Sequence, residues 1–185
     1  MRVDLGVKPF IFPMPVLIIG TYDENGVPNA MNCAWGMACD TNKIALTLSQ
    51  DHKTVKNILK TGDFTVHMAT CDTLVPCDYV GIVSGNDCAD KISKCGFTVE
   101  KSDKVNAPIF SELSFVLECE LESYDTDSEI LIGKILSMSA DDSTLTDGKI
   151  DISKLNPILY NCADHTYNKI GEAVGKAFSD GKKLK

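Results

Sequence analysis

A mainly β protein with a few helices, its strands closing into a barrel, is the fold class this sequence predicts. Three observations lead there. Short segments of alternating apolar and polar residues recur along most of the chain, while helical periodicity is confined to a few stretches. Several strands accompanied by only a few helices fit a barrel better than a doubly wound sheet. No repeat, low-complexity tract or linker divides the 185 residues, which are expected to form one domain.

The elements follow in order. Val16 to Ile19 is an apolar run too short for a membrane span, and Asp23, Glu24, Asn25 and Gly26 supply the turn that sends the chain back antiparallel. The return strand, Val27 to Trp35, carries Asn29, Asn32 and Cys33 among small residues and ends on an aromatic. The segment CDTNKI reads as a loop before the next strand. From Lys43 to Ser49, Ile44, Leu46 and Leu48 alternate with Ala45, Thr47 and Ser49, the pattern of a half-buried strand. Asp51 or Ser49 then caps a helix in which Val55, Ile58 and Leu59 share a face, closed by Gly62. DFTVHMA is a further strand. Thr73 to Val83 and Asp90 to Cys95 read as helices, and Leu113 to Tyr124 and Glu129 to Ala140 as strands. In the first of these strands Val116, Glu118, Glu120 and Glu122 form a largely acidic outer face. Tyr167, Ile170, Gly171, Val174 and Phe178 have the spacing of a final amphipathic helix, opened by His165.

The first turn of the helix after Asp51 holds His52, Lys53 and Thr54. Such a turn offers unpaired backbone N–H groups and a partial positive charge, so a phosphate placed there gains bonds from the backbone, the Thr hydroxyl and the ammonium together. A capped surface helix with solvated basic residues is the competing reading of the same residues.

Composition excludes several classes. A formal net charge of -8 argues against nucleic-acid binding, which needs a basic face. In an acidic protein a phosphate site must concentrate positive charge locally, and His52, Lys53, Lys56, Lys91 and Lys94 are where the sequence allows it. No membrane span or targeting segment is expected: the apolar residues near the start are interrupted by Pro9, Pro13 and Pro15, and the protein is expected in the cytoplasm. The eight cysteines contain no C-x-x-C pair, which leaves zinc and dithiol motifs unsupported and suits reduced, mostly structural thiols. The histidines His52, His67 and His165 lack metal-ligand spacing.

GVPNAMNCAW, followed by SQDHKTVKNI, the Ser84–Gly85 and Asp90–Lys91 pairs, APIFSELSFVLECEL, EILIGKILSM, the DGKID turn and HTYNKIGEAVGKAFSDGK, resembles the flavin reductase-like family of FMN-binding split β-barrels, and within it the flavoredoxin branch. The likeness lies in the order and spacing of many short motifs over nearly the whole chain. It implies an FMN held noncovalently at the interface of a homodimer, its ring against the strand that carries the Asn and Trp positions. Asn29 and Asn32 match the polar positions of that strand, the backbone at Cys33 and Ala34 lies along the ring, and Trp35 packs near it. Ser49 and Gln50 match positions that approach the ribityl chain, Lys53 and Thr54 the phosphate end, and Lys91 a second basic position that reaches the phosphate or the ring carbonyl edge. No residue is singled out as a catalytic acid or base.

The resemblance thus implies an FMN-dependent oxidoreductase or electron carrier, with NAD(P)H or an iron–sulfur protein as electron donor. A flavin-binding sensor or storage module would use the same residues without turnover, and a thiol-buffering protein would use only the cysteines.

Overall fold

The structure, a computed structural model, describes residues 1–184. After a short strand β1 (Met14–Pro15), β2 (Leu17–Tyr22) and β3 (Pro28–Cys33) form the expected hairpin. Its turn is built by Asp23, whose Oδ1 accepts the amides of Asn25 and Val27, both at 2.9 Å, and by Gly26 at φ 76°. β4 (Gly36–Asp40) and β5 (Lys43–Thr47) form a second hairpin, so part of the segment expected as a loop is a strand. Four of the five β4 residues are exposed, which leaves no alternation to read.

Helix α1 (Lys53–Thr61) starts from His52, not from a side-chain cap at Asp51 or Ser49, and ends on Gly62 at φ 81°. It buries Thr54, Val55, Asn57 and Ile58 and leaves Leu59 50% exposed, so its inner face is rotated toward polar residues relative to the expected one. β6 (Asp63–Met68), α2 (Leu74–Ile82), α3 (Lys91–Cys95), the hairpin β7 (Val99–Lys101) and β8 (Pro108–Phe110), and the long strands β9 (Phe115–Asp125) and β10 (Ile130–Ala140) follow. A small hairpin of β11 (Leu145–Thr146) and β12 (Lys149–Ile150), the turn-length α4 (Ile152–Leu155) and a hairpin of β13 (Ile158–Asn161) and β14 (Thr166–Lys169) complete the regular structure before a short terminal 3₁₀ turn at Asp180–Leu184.

The main sheet has seven antiparallel strands in the order β3-β2-β6-β9-β10-β5-β4. Its two outermost strands, β3 and β4, are joined by Ala34 and Trp35 alone. Three Cα steps reach at most about 11 Å, whereas the edges of a flat sheet of this size lie about 29 Å apart. The sheet must therefore curl, and its seam falls at Ala34 and Trp35, where Thr47 N donates to Trp35 O at 2.8 Å.

Both faces of the curled sheet are packed. Leu17 and Ile19 of β2 point into the barrel with Phe64, Val66, Cys119 and Leu131, capped by Val55 and Ile58 of α1. Val16 and Ile18 point outward into a second core with Cys77 and Val80 of α2, Ile92 of α3 and Phe110. This is why VLII reads as a continuous apolar run. Gly133 makes room for Phe64, since a Cβ there would lie 2.3 Å from its ring.

Two further expectations are overturned. The last amphipathic helix does not form: Tyr167 lies in β14, opposite Tyr160, and His165 sits at φ 58° in the turn between those strands. Val174 and Phe178 are fully exposed, so no apolar face drives a helix, and Gly171 and Gly175 oppose one. Glu118, read as part of an outer acidic face, is only 5% exposed; it accepts a hydrogen bond from Ser102 Oγ at 2.5 Å, while that oxygen accepts the amides of Lys104 and Val105. The β7–β8 connection folds over this part of β9 and covers what alternation alone assigns to solvent.

His67, on β6, is fully buried, donates from Nδ1 to Phe115 O at 3.0 Å, and leaves Nε2 without a partner. Burial lowers its pKa to about 4, so the folded state excludes a proton that the unfolded chain takes up near pH 6.5. Its contribution to stability is complete above that pH and is lost as the pH falls toward 4, by up to about 3 kcal/mol. Urea unfolding at pH 7 and pH 4.5 is expected to show a smaller acid loss in His67→Gln than in the unaltered protein; an equal loss would contradict this assignment.

Candidate functional site

A cleft opens along the seam of the barrel in two adjoining pockets that share Met31, His52, Gly81 and Ile82. The wider one, about 400 Å³, is lined by Asn32, Cys33, Ala34 and Trp35, and also by Val16, Leu48, Asp78, Tyr160 and Tyr167. The narrower, about 180 Å³, is lined by Asn29, Lys53, Thr54, Ser84, Gly85 and Lys91. Eight of the ten residues singled out in the sequence thus line one continuous cleft. Ser49 and Gln50 do not: they occupy the turn before α1, where Ser49 O accepts from His52 N and Gln50 N donates to Glu129 Oε1.

The narrow end is built from β3 and the start of α1. Asn29 Nδ2 donates to Thr54 Oγ1 at 2.8 Å, locking strand to helix, and both residues are buried. Asn29 Oδ1 is buried without a hydrogen-bond partner beneath Gly85, where a Cβ would lie 2.2 Å from it. A buried polar atom left unpaired costs on the order of 1–3 kcal/mol, which marks the place as one where a donor is expected. No side chain caps α1, and the amides of its first turn, at Lys53 to Val55, have no intrahelical partner.

The charges here are arranged for an anion. Lys91 is 3% exposed and forms no ion pair among the described residues. Burial lowers its pKa to about 8, which leaves it largely charged at neutral pH and makes a nearby anion strongly favourable. Lys53 Nζ has a partner, Asp23 Oδ2, but at 3.5 Å and partly open to water, a contact of little energetic weight. Asp23 is itself held below the usual carboxylate range, first by the Val27 amide.

The wide end is flatter and more apolar. Trp35 is 50% exposed at its rim. Asn32 packs against α2 at Gly81, where a Cβ would fall 2.0 Å from its Nδ2, so that glycine admits the strand to the helix. Burial pushes the Cys33 thiol up to about 12, which keeps it neutral and a poor nucleophile. Tyr167 Oη donates to Asp78 Oδ1 at 2.6 Å, and Tyr160 Oη meets His165 Nδ1 at 2.7 Å.

The sequence does not single out Asp78, Gly81, Ile82 and Tyr160. The first three share a face of α2 at i, i+3, i+4 spacing, but nothing local tells that face from one buried in the core. Tyr160 belongs to a strand that the sequence reading does not anticipate. Among the described residues no cluster of His, Cys, Asp and Glu could hold a metal ion, all eight cysteines are free, and no helix is long and apolar enough to cross a membrane.

A curled antiparallel sheet with a groove at its seam, anionic ligands favoured at one end and a flat apolar wall at the other, defines a split-barrel protein with a ligand cleft. The family model for the flavin reductase like domain matches residues 10–167, and the chain belongs to that family. The structure is similar to flavoredoxin of Desulfovibrio vulgaris (Miyazaki F), at 32% identity, a TM-score of 0.94, and coverage of 98% of this chain and 100% of that one. It is also similar to flavoredoxin from Methanosarcina acetivorans, at 26% identity and a TM-score of 0.91 with both chains fully covered; these likenesses place it in the flavoredoxin branch. An FMN-binding domain of a flavin reductases-like enzyme from Shewanella baltica OS155 shares the fold at 22% identity and a TM-score of 0.80, over 88% of each chain.

A buried ammonium without a counter-ion trades stability for anion binding. Lys91→Met is therefore expected to raise stability at pH 7 by about 1–3 kcal/mol. In the unaltered protein, the penalty is full below pH 8 and is relieved as the pH rises toward 10.5, because the folded state releases its proton first. Chemical denaturation at pH 7 and pH 9.5 measures both; a destabilised Lys91→Met protein would contradict the assignment.

Proposed function

We propose that this protein binds FMN noncovalently along the seam cleft and passes electrons through it, as a flavoredoxin-like or flavin reductase-like oxidoreductase. The observation that carries the reading is the buried, unpaired Lys91 in the same pocket as the uncapped start of α1. A phosphate dianion placed between them meets Lys91, Lys53, the Thr54 hydroxyl and the first-turn amides. The orphan Asn29 Oδ1 calls for a donor, which a ribityl hydroxyl supplies, and Ser49 and Gln50 stay assigned to the approach of that chain.

The wider pocket suits a planar ring. Asn32, the backbone at Cys33 and Ala34, and Trp35 form one side; Gly81 and Ile82 of α2 form another. The flavin supplies the acceptance and donation of electrons at its ring, and the protein supplies binding, orientation and access. A half-exposed Trp35 leaves the rim open to a donor, for which NAD(P)H or an iron–sulfur protein is proposed. Exposed Met37, Leu136 and Met138 on β4 and β10 support a homodimer. A soluble, cytoplasmic protein that acts on neither nucleic acid nor membrane completes the reading.

The visible spectrum of protein purified without added flavin, and again after FMN is supplied, tests this. Flavin bands that shift on binding are expected, with Lys53→Ala and Thr54→Ala each weakening affinity by about 10- to 100-fold through loss of charge-assisted bonds. Protein that stays colourless and leaves added FMN unperturbed would overturn the proposal.

A further inference from the structure

The cleft carries charges of opposite sign at its two ends. Lys53 and Lys91 line the narrow pocket, whereas the wide pocket holds the carboxylate of Asp78. Helix α2 acts as the ruler between them. Ile82 borders both pockets, Ser84 and Gly85 continue into the narrow one, and Asp78 lies one turn back, about 6 Å along the axis from Ile82.

Asp78 is half-buried and forms no ion pair among the described residues. Its one side-chain partner is Tyr167, whose phenol donates at 2.6 Å. Burial, and then the carboxylate itself, hold that phenol well above its usual pKa, so it stays a donor throughout the neutral range. Tyr167 is in turn fixed opposite Tyr160 in the β13–β14 hairpin, ring centroids 6.2 Å apart. A fixed negative charge thus borders a pocket lined by apolar Val16, Trp35 and Ile82 as well as by polar Asn32, Thr47 and His52, among which Asp78 is the one carboxylate.

We propose that Asp78, held in place by Tyr167, sets the reduction potential of the flavin and drives it downward. The inference rests on the flavin reading of the cleft. Asp78 opposes the negative charge left on the ring when two electrons from a reductant and one proton from solvent are taken up, because that uptake adds one net unit of charge. It opposes the oxidised, neutral ring far less. Weak screening in a half-buried pocket makes the difference felt, and the consequence is a bound flavin that gives up its electrons more readily.

Anaerobic titration of the FMN-loaded protein with dithionite, against a reference dye, reads the potential directly. Asp78→Asn keeps the shape and the acceptor for Tyr167 but removes the charge. It is expected to favour reduced over oxidised FMN by about tenfold more than the unaltered protein does, an upward shift of about 30 mV for a two-electron couple. A potential that stays put or falls in Asp78→Asn overturns the inference. If that variant does not fold, Tyr167→Phe decides: the carboxylate loses the donor that fixes it in place and favours its charged form, so the potential is expected to rise toward that of Asp78→Asn, and an unchanged or lowered value overturns the inference. Failure of the unaltered protein to bind FMN overturns the flavin reading itself, before any potential is measured.

Discussion

The two-residue link between Cys33 and Gly36 governs the rest of the molecule. Because Ala34 and Trp35 join the outermost strands of a seven-stranded sheet, the sheet has no flat alternative, and every strand between them must twist and curl to bring its edges together. Curling creates an inside, filled by Phe64, Leu46, Leu131 and the apolar side of α1, and an outside along β2 and β3 that needs α2 and α3 as cover. The cleft is what remains where the seam, the start of α1 and the exposed face of α2 meet. Its shape is a consequence of closure rather than of any one loop.

Within that cleft, interactions that would stabilise the empty protein are left incomplete. Among the described residues Lys91 has no ion-pair partner, Asn29 Oδ1 has no donor, and the start of α1 has no side-chain cap. Each is unfavourable by itself, and all face one small pocket of a protein whose net charge is -8. An acidic surface repels a phosphate in general; the local reversal of sign at one end gives the cleft its direction. Asp78 reverses the sign again at the other end, so a ligand that carries an anion and a ring has one favoured orientation.

Much of this was legible in the chain. The first hairpin, the alternating strand at Lys43, α1 and the two long strands are local patterns, and Asn29, Asn32, Cys33, Ala34, Trp35, Lys53, Thr54 and Lys91 stood out through motif order and resemblance. What escaped depends on contacts distant in sequence. β4 shows no alternation because its side chains are almost all exposed. The spacing from Tyr167 to Phe178 mimicked a helix, yet Tyr167 is placed by Asp78, 89 residues away, and Val174 and Phe178 have nothing to pack on. Glu118 reads as solvent-facing until the β7–β8 hairpin covers it. Asp78 itself, in the middle of a helix, carries no signal until the seam is closed against it.

In the proposed function the cleft recognises a flavin by its phosphate, held between Lys91 and the start of α1. Parallel fluorescence titrations of the purified protein with FMN and with riboflavin, which has the same ring and ribityl chain but no phosphate, distinguish a phosphate-held flavin from any other. Stoichiometric quenching by FMN is expected, with riboflavin binding weaker by about 100-fold or more through the loss of several charge-assisted hydrogen bonds. Equal affinity for the two would contradict it.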